Sequence, residues 1–273
     1  DIISYSLLIF IAGTVAVALF DLDKVMIEYF MPIEHVSIYG IAIYIATVIA
    51  VPSKAMHQIT NPITAKYLNS QDFLLLKDLY VRSSNTLFLI SGLIFTLIVT
   101  NVYQLYQIIP EPYRIGVSIV FLISLVKLSD NILGNNNSIV FNSKYYKTIL
   151  LVGLVVVGIA FLLNMWLIPT FGIYGAAYAT FISFMMYNIF KLIFVKITFG
   201  IHPFNKKSLY ISIIISLLSL SFYFWDFTTG YVLVNIILKS IMITSLYLIA
   251  SLKGELSKDL SKFYHLIFKK KTP

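Results

Sequence analysis

Apolar blocks of roughly 18 to 25 residues recur along this chain, each ended by a short polar or proline-containing turn, and a block of that length matches a bilayer crossed as an α-helix. Continuous blocks, instead of the alternating pattern of an outer-membrane barrel, predict helices as the spanning elements. With 59% hydrophobic and 12% charged residues in 273 positions, a soluble core could not hide this much apolar surface. The mean hydropathy of +0.89 says the same. The expected class is an all-α membrane protein, a polytopic bundle of about eight transmembrane helices. Cysteine is absent, which excludes disulfides and thiolate metal sites.

The blocks place spans at about 2–29, 36–59, 86–109, 115–141, 148–168, 173–195, 209–225 and 231–252, so that 1–252 reads as a transmembrane bundle and 253–273 as a basic tail. The first span is long enough to tilt or project. In the polar stretch 60–82, Phe73, Leu76, Leu79 and Tyr80 recur at helical spacing and predict a short helix lying on the membrane surface. In the tail, Leu256, Leu260, Phe263 and Ile267 form one face of a possible interfacial helix.

The net charge of +8 is a matter of orientation, with no nucleic-acid partner implied. Lys54, Lys66, Lys77, Arg82, Lys144, Lys147, Lys191, Lys196, Lys206, Lys207 and six lysines after Leu252 fall on one side of the predicted topology, sixteen of the twenty basic residues. The positive-inside rule puts that side, and both ends of the chain, in the cytoplasm. The chain opens at Asp1 without a methionine or a signal-peptide pattern, and is expected to be a fragment that lacks a preceding part.

No HExxH, glycine-rich phosphate loop or serine elbow is present, and His35, His57, His202 and His265 are scattered. A catalytic site, a cofactor and a metal site are therefore not expected, and the chain reads as a carrier. Its candidates are charges inside spans, which cost about 2.5–3.5 kcal/mol at mid-bilayer even on the mildest scale. Asp21, Lys24 and Glu28 share a face near one end of the first span, where the helix can also simply emerge into water. Lys127 and Asp130 lie one turn apart with Asn131 adjacent, as an internal ion pair or a cavity wall. Lys239 has Asn235 one turn before it and no acid in its own helix, so it must find a partner elsewhere, face a wet cavity, or snorkel.

One stretch is more specific. Between the fifth and sixth spans, Asn164 to Thr180 reads NMWLIPTFGIYGAAYAT: Pro169 and Gly172 break two spans into a hairpin, and Gly172, Ala176 and Thr180, with Gly175, Ala179 and Ser183, form two ridges of small residues suited to close helix approach. The pattern carried by Asn164, Leu167, Ile168, Pro169, Gly172, Ile173, Gly175, Ala176, Ala177, Ala179 and Thr180 resembles the hairpin of bacterial polysaccharide (O-antigen type) flippases, in the superfamily that also holds the MATE multidrug exporters and the lipid II flippase. Asp21 followed by Val36 to Ala42, with Ser37 in place of the usual glycine, agrees, as do Asn61 to Thr64 and Ser143 to Tyr146. The resemblance implies a MATE-like C-terminal lobe whose N-terminal lobe is missing here. It implies translocation of an undecaprenyl-diphosphate-linked oligosaccharide across the bacterial plasma membrane by alternating access, without enzymatic chemistry and coupled to Na+ or H+. On that reading Lys127 and Lys239 meet the diphosphate or sugar acids, Asn131 and Asn235 meet sugar hydroxyls, and Asp21, Lys24 or Asp130 serve ion coupling or charge balance. The rival of the same fold is a drug or cation antiporter, which would want an acidic cavity.

Overall fold

The structure is a computed structural model that describes residues 21–254 and Leu256. The chain is an all-α polytopic membrane bundle. Helices α1 (21–30), α2 (Glu34–Thr47), α3 (Val51–Asn69), α4 (Phe73–Ile108), α5 (Val117–Ile132), α6 (Asn136–Phe141), α7 (Tyr146–Phe171), α8 (Ile173–Phe199), α9 (Lys206–Tyr223) and α10 (Val232–Lys253) follow one another, with 3-10 turns at Val48–Ala50 and Glu111–Gly116. Among the described residues seven helical segments are long and apolar enough to cross a membrane. The expected first span falls mostly outside the described residues, and so does nearly all of the expected tail helix.

Two clusters mark the ends of the bundle. At one end Met31, Val36, Tyr106, Ile109, Tyr113, Ile168 and Ile173 bring together the turns after α1, α4 and α7. At the other Leu68, Leu76, Tyr80, Val140, Ile149, Val195 and Ile201 bring together the turns after α3, α6 and α8. Lys66, Lys77, Lys144, Lys147, Lys196, Lys206 and Lys207 all lie in or beside this second set of turns, so the lysines gather at one end.

Several boundaries differ from the sequence reading, each for a local reason. The expected surface helix at 73–80 is instead the start of α4, which runs 36 residues without interruption from an Asp72 cap whose side chain accepts from the Leu75 amide. The periodicity correctly marked an apolar face. That face buries Leu76 and Tyr80 against α6 and α8 rather than against lipid headgroups. Pro52 falls in the first turn of α3, where its missing N–H costs nothing, and the break between α2 and α3 is the 3-10 turn before it. Pro169 lies inside the last turn of α7, and the hairpin turns at Gly172, whose φ of 61° suits a residue without a Cβ. Just beyond, a Cβ on Gly175 would sit 2.0 Å from the Leu167 carbonyl oxygen, so the two arms touch backbone to backbone. Ala176, Ala177 and Ala179 are fully buried beside it.

The segment expected as a single span at 115–141 is interrupted. α5 stops at Ile132, Gly134 takes φ 56°, and α6 restarts at Asn136. The polar triplet at 135–137 closes the gap. Asn135 donates to Thr64 at 2.9 Å and accepts from Ser83 at 3.0 Å, Asn136 donates to Tyr80 at 2.6 Å, and Asn137 accepts from Lys191 at 3.0 Å. Ser138 bonds Asn61. Backbone groups freed by a helix break are tolerated at membrane depth only inside such a protein-lined setting.

Candidate functional site

Three polar clusters stand out among the described residues, and the residues singled out by sequence lie in the second and third or beside the first.

The first is built on Asp23, which is 3% exposed. Asp23 follows Asp21 by two residues, so it faces away from it, onto the stripe that also carries buried Met26 and Ile27. Tyr39 of α2 donates to Asp23 Oδ2 at 2.8 Å, Asn164 Nδ2 of α7 donates to Oδ1 at 2.9 Å, and Thr180 Oγ1 of α8 also donates to Oδ2. The hairpin motif therefore delivers two polar residues, one from each arm, to a single carboxylate. No salt bridge reaches Asp23 among the described residues; the neighbouring Lys24 ammonium goes to Asp21 at 2.8 Å on the exposed side of α1. Asn164 Oδ1 is buried without a hydrogen-bond partner. Two hydroxyls and one amide N–H thus converge on a single buried carboxylate, so one ionisable group sits at the junction of α1, α2 and the hairpin. Sequence reasoning passed over Asp23 because Asp21, Lys24 and Glu28 share the more conspicuous spacing. The signal was its place three and four residues before Met26 and Ile27, on the apolar face.

The second cluster joins α5, α6 and α8. Lys191 of α8, 2% exposed, donates to Asp130 Oδ1 at 3.0 Å and to Asn137 Oδ1 at 3.0 Å, and its ammonium lies 4.7 Å from the Tyr187 ring centroid. Lys127 sits one turn before Asp130, 9% exposed, 5.9 Å from the Phe184 ring centroid. Two buried ammonium groups thus flank one carboxylate that keeps 39% of its side chain accessible. His57 of α3 lies close enough to Asp130 and Lys191 to feel both charges. Alongside, Asn188 donates to Ser129 at 2.9 Å. Asn131 turns the opposite way: its amide donates to Ile49 O at 2.7 Å and to Ser91 at 2.6 Å, tying α5 to α4 and to the 3-10 turn. Lys191 was counted in the sequence only among the cytoplasmic-side lysines, although it lies inside the expected span 173–195.

No protein-family model matches the sequence, nor does a curated protein or a solved structure.

The third cluster holds Lys239, which is 1% exposed and found its partner outside its own helix. Its ammonium donates to Asp226 Oδ1 at 2.6 Å and to the Thr100 carbonyl at 2.6 Å, and Gln104 donates to the same Asp226 oxygen at 2.5 Å. Asp226 lies in the loop between α9 and α10, with 49% of its side chain accessible. Asn235 accepts from the Thr229 hydroxyl at 2.6 Å and from its amide at 3.2 Å, closing that loop. Of the candidates, Lys127 and Asp130 are brought together, Asp21 and Lys24 form an exposed pair, and Lys239 and Asn235 anchor a loop elsewhere. Among the described residues no group of three His, Asp or Glu side chains is arranged to hold a metal.

Proposed function

We propose that this chain is the C-terminal lobe of a flippase that moves an undecaprenyl-diphosphate-linked oligosaccharide across the bacterial plasma membrane by alternating access, coupled to Na+ or H+. The observation that carries this reading is the pair of buried ammonium groups, Lys127 and Lys191, around the single accessible carboxylate of Asp130. Two ammonium groups held beside one carboxylate and amides such as Asn137 suit a hydrated anionic headgroup that cannot cross hydrocarbon unaided. The sequence likeness of the α7–α8 hairpin to the polysaccharide flippases supports the cargo class. The Asp23 cluster supports ion coupling, because its occupancy would bias the packing of α1 and α2 against the hairpin. Lys239, neutralised by Asp226, is a loop anchor in this reading and no longer a headgroup ligand.

A cation antiporter is favoured by one observation. Asp23 is a buried carboxylate without a salt bridge among the described residues, which is what an organic cation would seek.

The test is flipping of a fluorescent lipid-linked glycan in vesicles containing the transporter with both lobes, under imposed Na+ or H+ gradients. K127A and K191A lower the initial rate at least tenfold, and D23N keeps residual flipping but removes its response to the gradient. Wild-type rates in both lysine variants would end the proposal. Efflux of an organic cation without glycan movement would transfer the assignment to the antiporter.

A further inference from the structure

The break between α5 and α6 is gripped differently on its two sides. α6 has six residues, too few for a helix to hold its shape without support, so its setting is decided by what binds it. On one side it is tied to α3 and α4: Asn135 donates to Thr64 at 2.9 Å, Asn136 donates to Tyr80 at 2.6 Å, and Ser138 bonds Asn61. The break itself seats on α4, where a Cβ on Gly134 would stand 2.6 Å from the Ser84 amide nitrogen and the Ile132 carbonyl accepts from the Ser84 hydroxyl. On the other side α8 reaches across through Lys191. Its ammonium donates to Asp130 in the last turn of α5 and to Asn137 in the first turn of α6, both at 3.0 Å. One buried side chain therefore spans the break, and the more accessible member of its ion pair is Asp130.

We propose that Lys191 is a latch across this break, opened by an anion: a phosphate group arriving beside Asp130 draws the ammonium off Asn137, and α6 is released from α8 while it stays with α3 and α4. Of the two bonds that Lys191 makes, the one to the neutral amide yields first, because it lacks the attraction of opposite charges that holds the other. Phosphate is a stronger acceptor than that amide oxygen. Lys127, one turn before Asp130 on α5, supplies a second ammonium that offsets the carboxylate when the phosphate approaches. Loss of the Asn137 bond frees the short helix where it is weakest, at its first turn, next to the left-handed Gly134 with φ 56°. The inference rests on the reading of this cluster as a headgroup site, and adds what binding there does to the fold: occupancy loosens the seam between α8 and the block formed by α3, α4 and α6.

The full chain, purified into lipid nanodiscs, is followed by hydrogen exchange with mass spectrometry, with sodium pyrophosphate as the probe and sodium chloride at equal ionic strength as the control. In the wild type, pyrophosphate raises exchange of the 135–142 amides about tenfold, the weight of one hydrogen bond to a charged group, and leaves 117–130 unchanged. Asn137→Ala shows the raised exchange without the probe and little further rise with it, since the Lys191–Asp130 pair stays and only the tie to α6 is lost. Lys191→Gln removes the response to pyrophosphate. Should Lys191→Gln fail to fold, Asn137→Ala decides alone, because that side chain is only half-buried. Equal exchange in the wild type with and without pyrophosphate overturns the proposal, as does Asn137→Ala protected like the wild type, or a rise that chloride reproduces. No glycan is present, so the two readings fail separately. A protein that flips glycan and ignores pyrophosphate loses the latch and keeps its cargo; one that responds to pyrophosphate and flips no glycan keeps the latch and loses the cargo.

Discussion

Replacing the two partners of the Lys239–Asp226 pair one at a time is predicted to have unequal consequences, because the pair is buried at one end only. Lys239 is 1% exposed while Asp226 keeps 49% of its side chain accessible. Asp226→Ala leaves an ammonium in the interior with the Thr100 carbonyl as its remaining partner among the bonds described, and strips Gln104 of its acceptor. Removing one member of a buried pair and leaving the other uncompensated costs about 3–5 kcal/mol, and the lower figure applies where water can reach the empty aspartate position. Lys239→Met removes the buried charge itself. It leaves a half-hydrated carboxylate that still accepts from Gln104, so the loss should be about 1 kcal/mol, the net value of a hydrogen bond. The difference of about 2 kcal/mol corresponds to roughly 4–8 °C in melting temperature for a chain of this size. Thermal unfolding of the purified protein in one detergent, with both single variants and the double variant, reads it directly. The double variant should resemble Lys239→Met, since the aspartate has little left to neutralise. A Lys239→Met variant as unstable as Asp226→Ala would refute the assignment of Lys239 as the dependent partner and would return it to a wet, cargo-facing role.

Two glycines give a paired contrast. Gly175→Ala places a methyl where the Leu167 carbonyl stands 2.0 Å away, and the backbone of the hairpin must part, a cost of about 1–3 kcal/mol. Gly158→Ala meets nothing within 4 Å, so it should stabilise α7 by about 0.5–1 kcal/mol through helix propensity; equal melting temperatures for the two variants would contradict the close approach. Asn131→Ala removes the donor to Ile49 O and Ser91, both buried, and should lower stability by about 2 kcal/mol, whereas Asn235→Ala loosens a solvent-side loop and costs less than about 1 kcal/mol. Denaturant midpoints separate the two, and a neutral Asn131→Ala would release that amide for contact with cargo.

Apolar block length determined the class of this protein, the helical nature of its spans and most of their positions, because the thickness of hydrocarbon acts on each segment alone. The small residues around Gly175 were legible for the same reason: close approach within a hairpin is a contact between sequence neighbours. Helix limits were less so. The apolar face at Phe73 to Tyr80 was visible, but whether it met lipid or α6 depended on where the chain later returned. The identity of each buried charge's partner lay wholly in the tertiary structure. Asp130 and Lys191 are 61 positions apart, and Asp23 and Thr180 157 apart, and no periodicity along one helix reports what a distant helix brings to its face. For this chain, local spacing singled out Lys127, Asp130 and Lys239 as costly. Only the packed bundle decided that Lys239 is neutralised by a loop, that Lys191 joins Asp130, and that Asp23 receives its hydrogen bonds from both arms of the hairpin, since a charge in low dielectric is stabilised by whatever surrounds it in space.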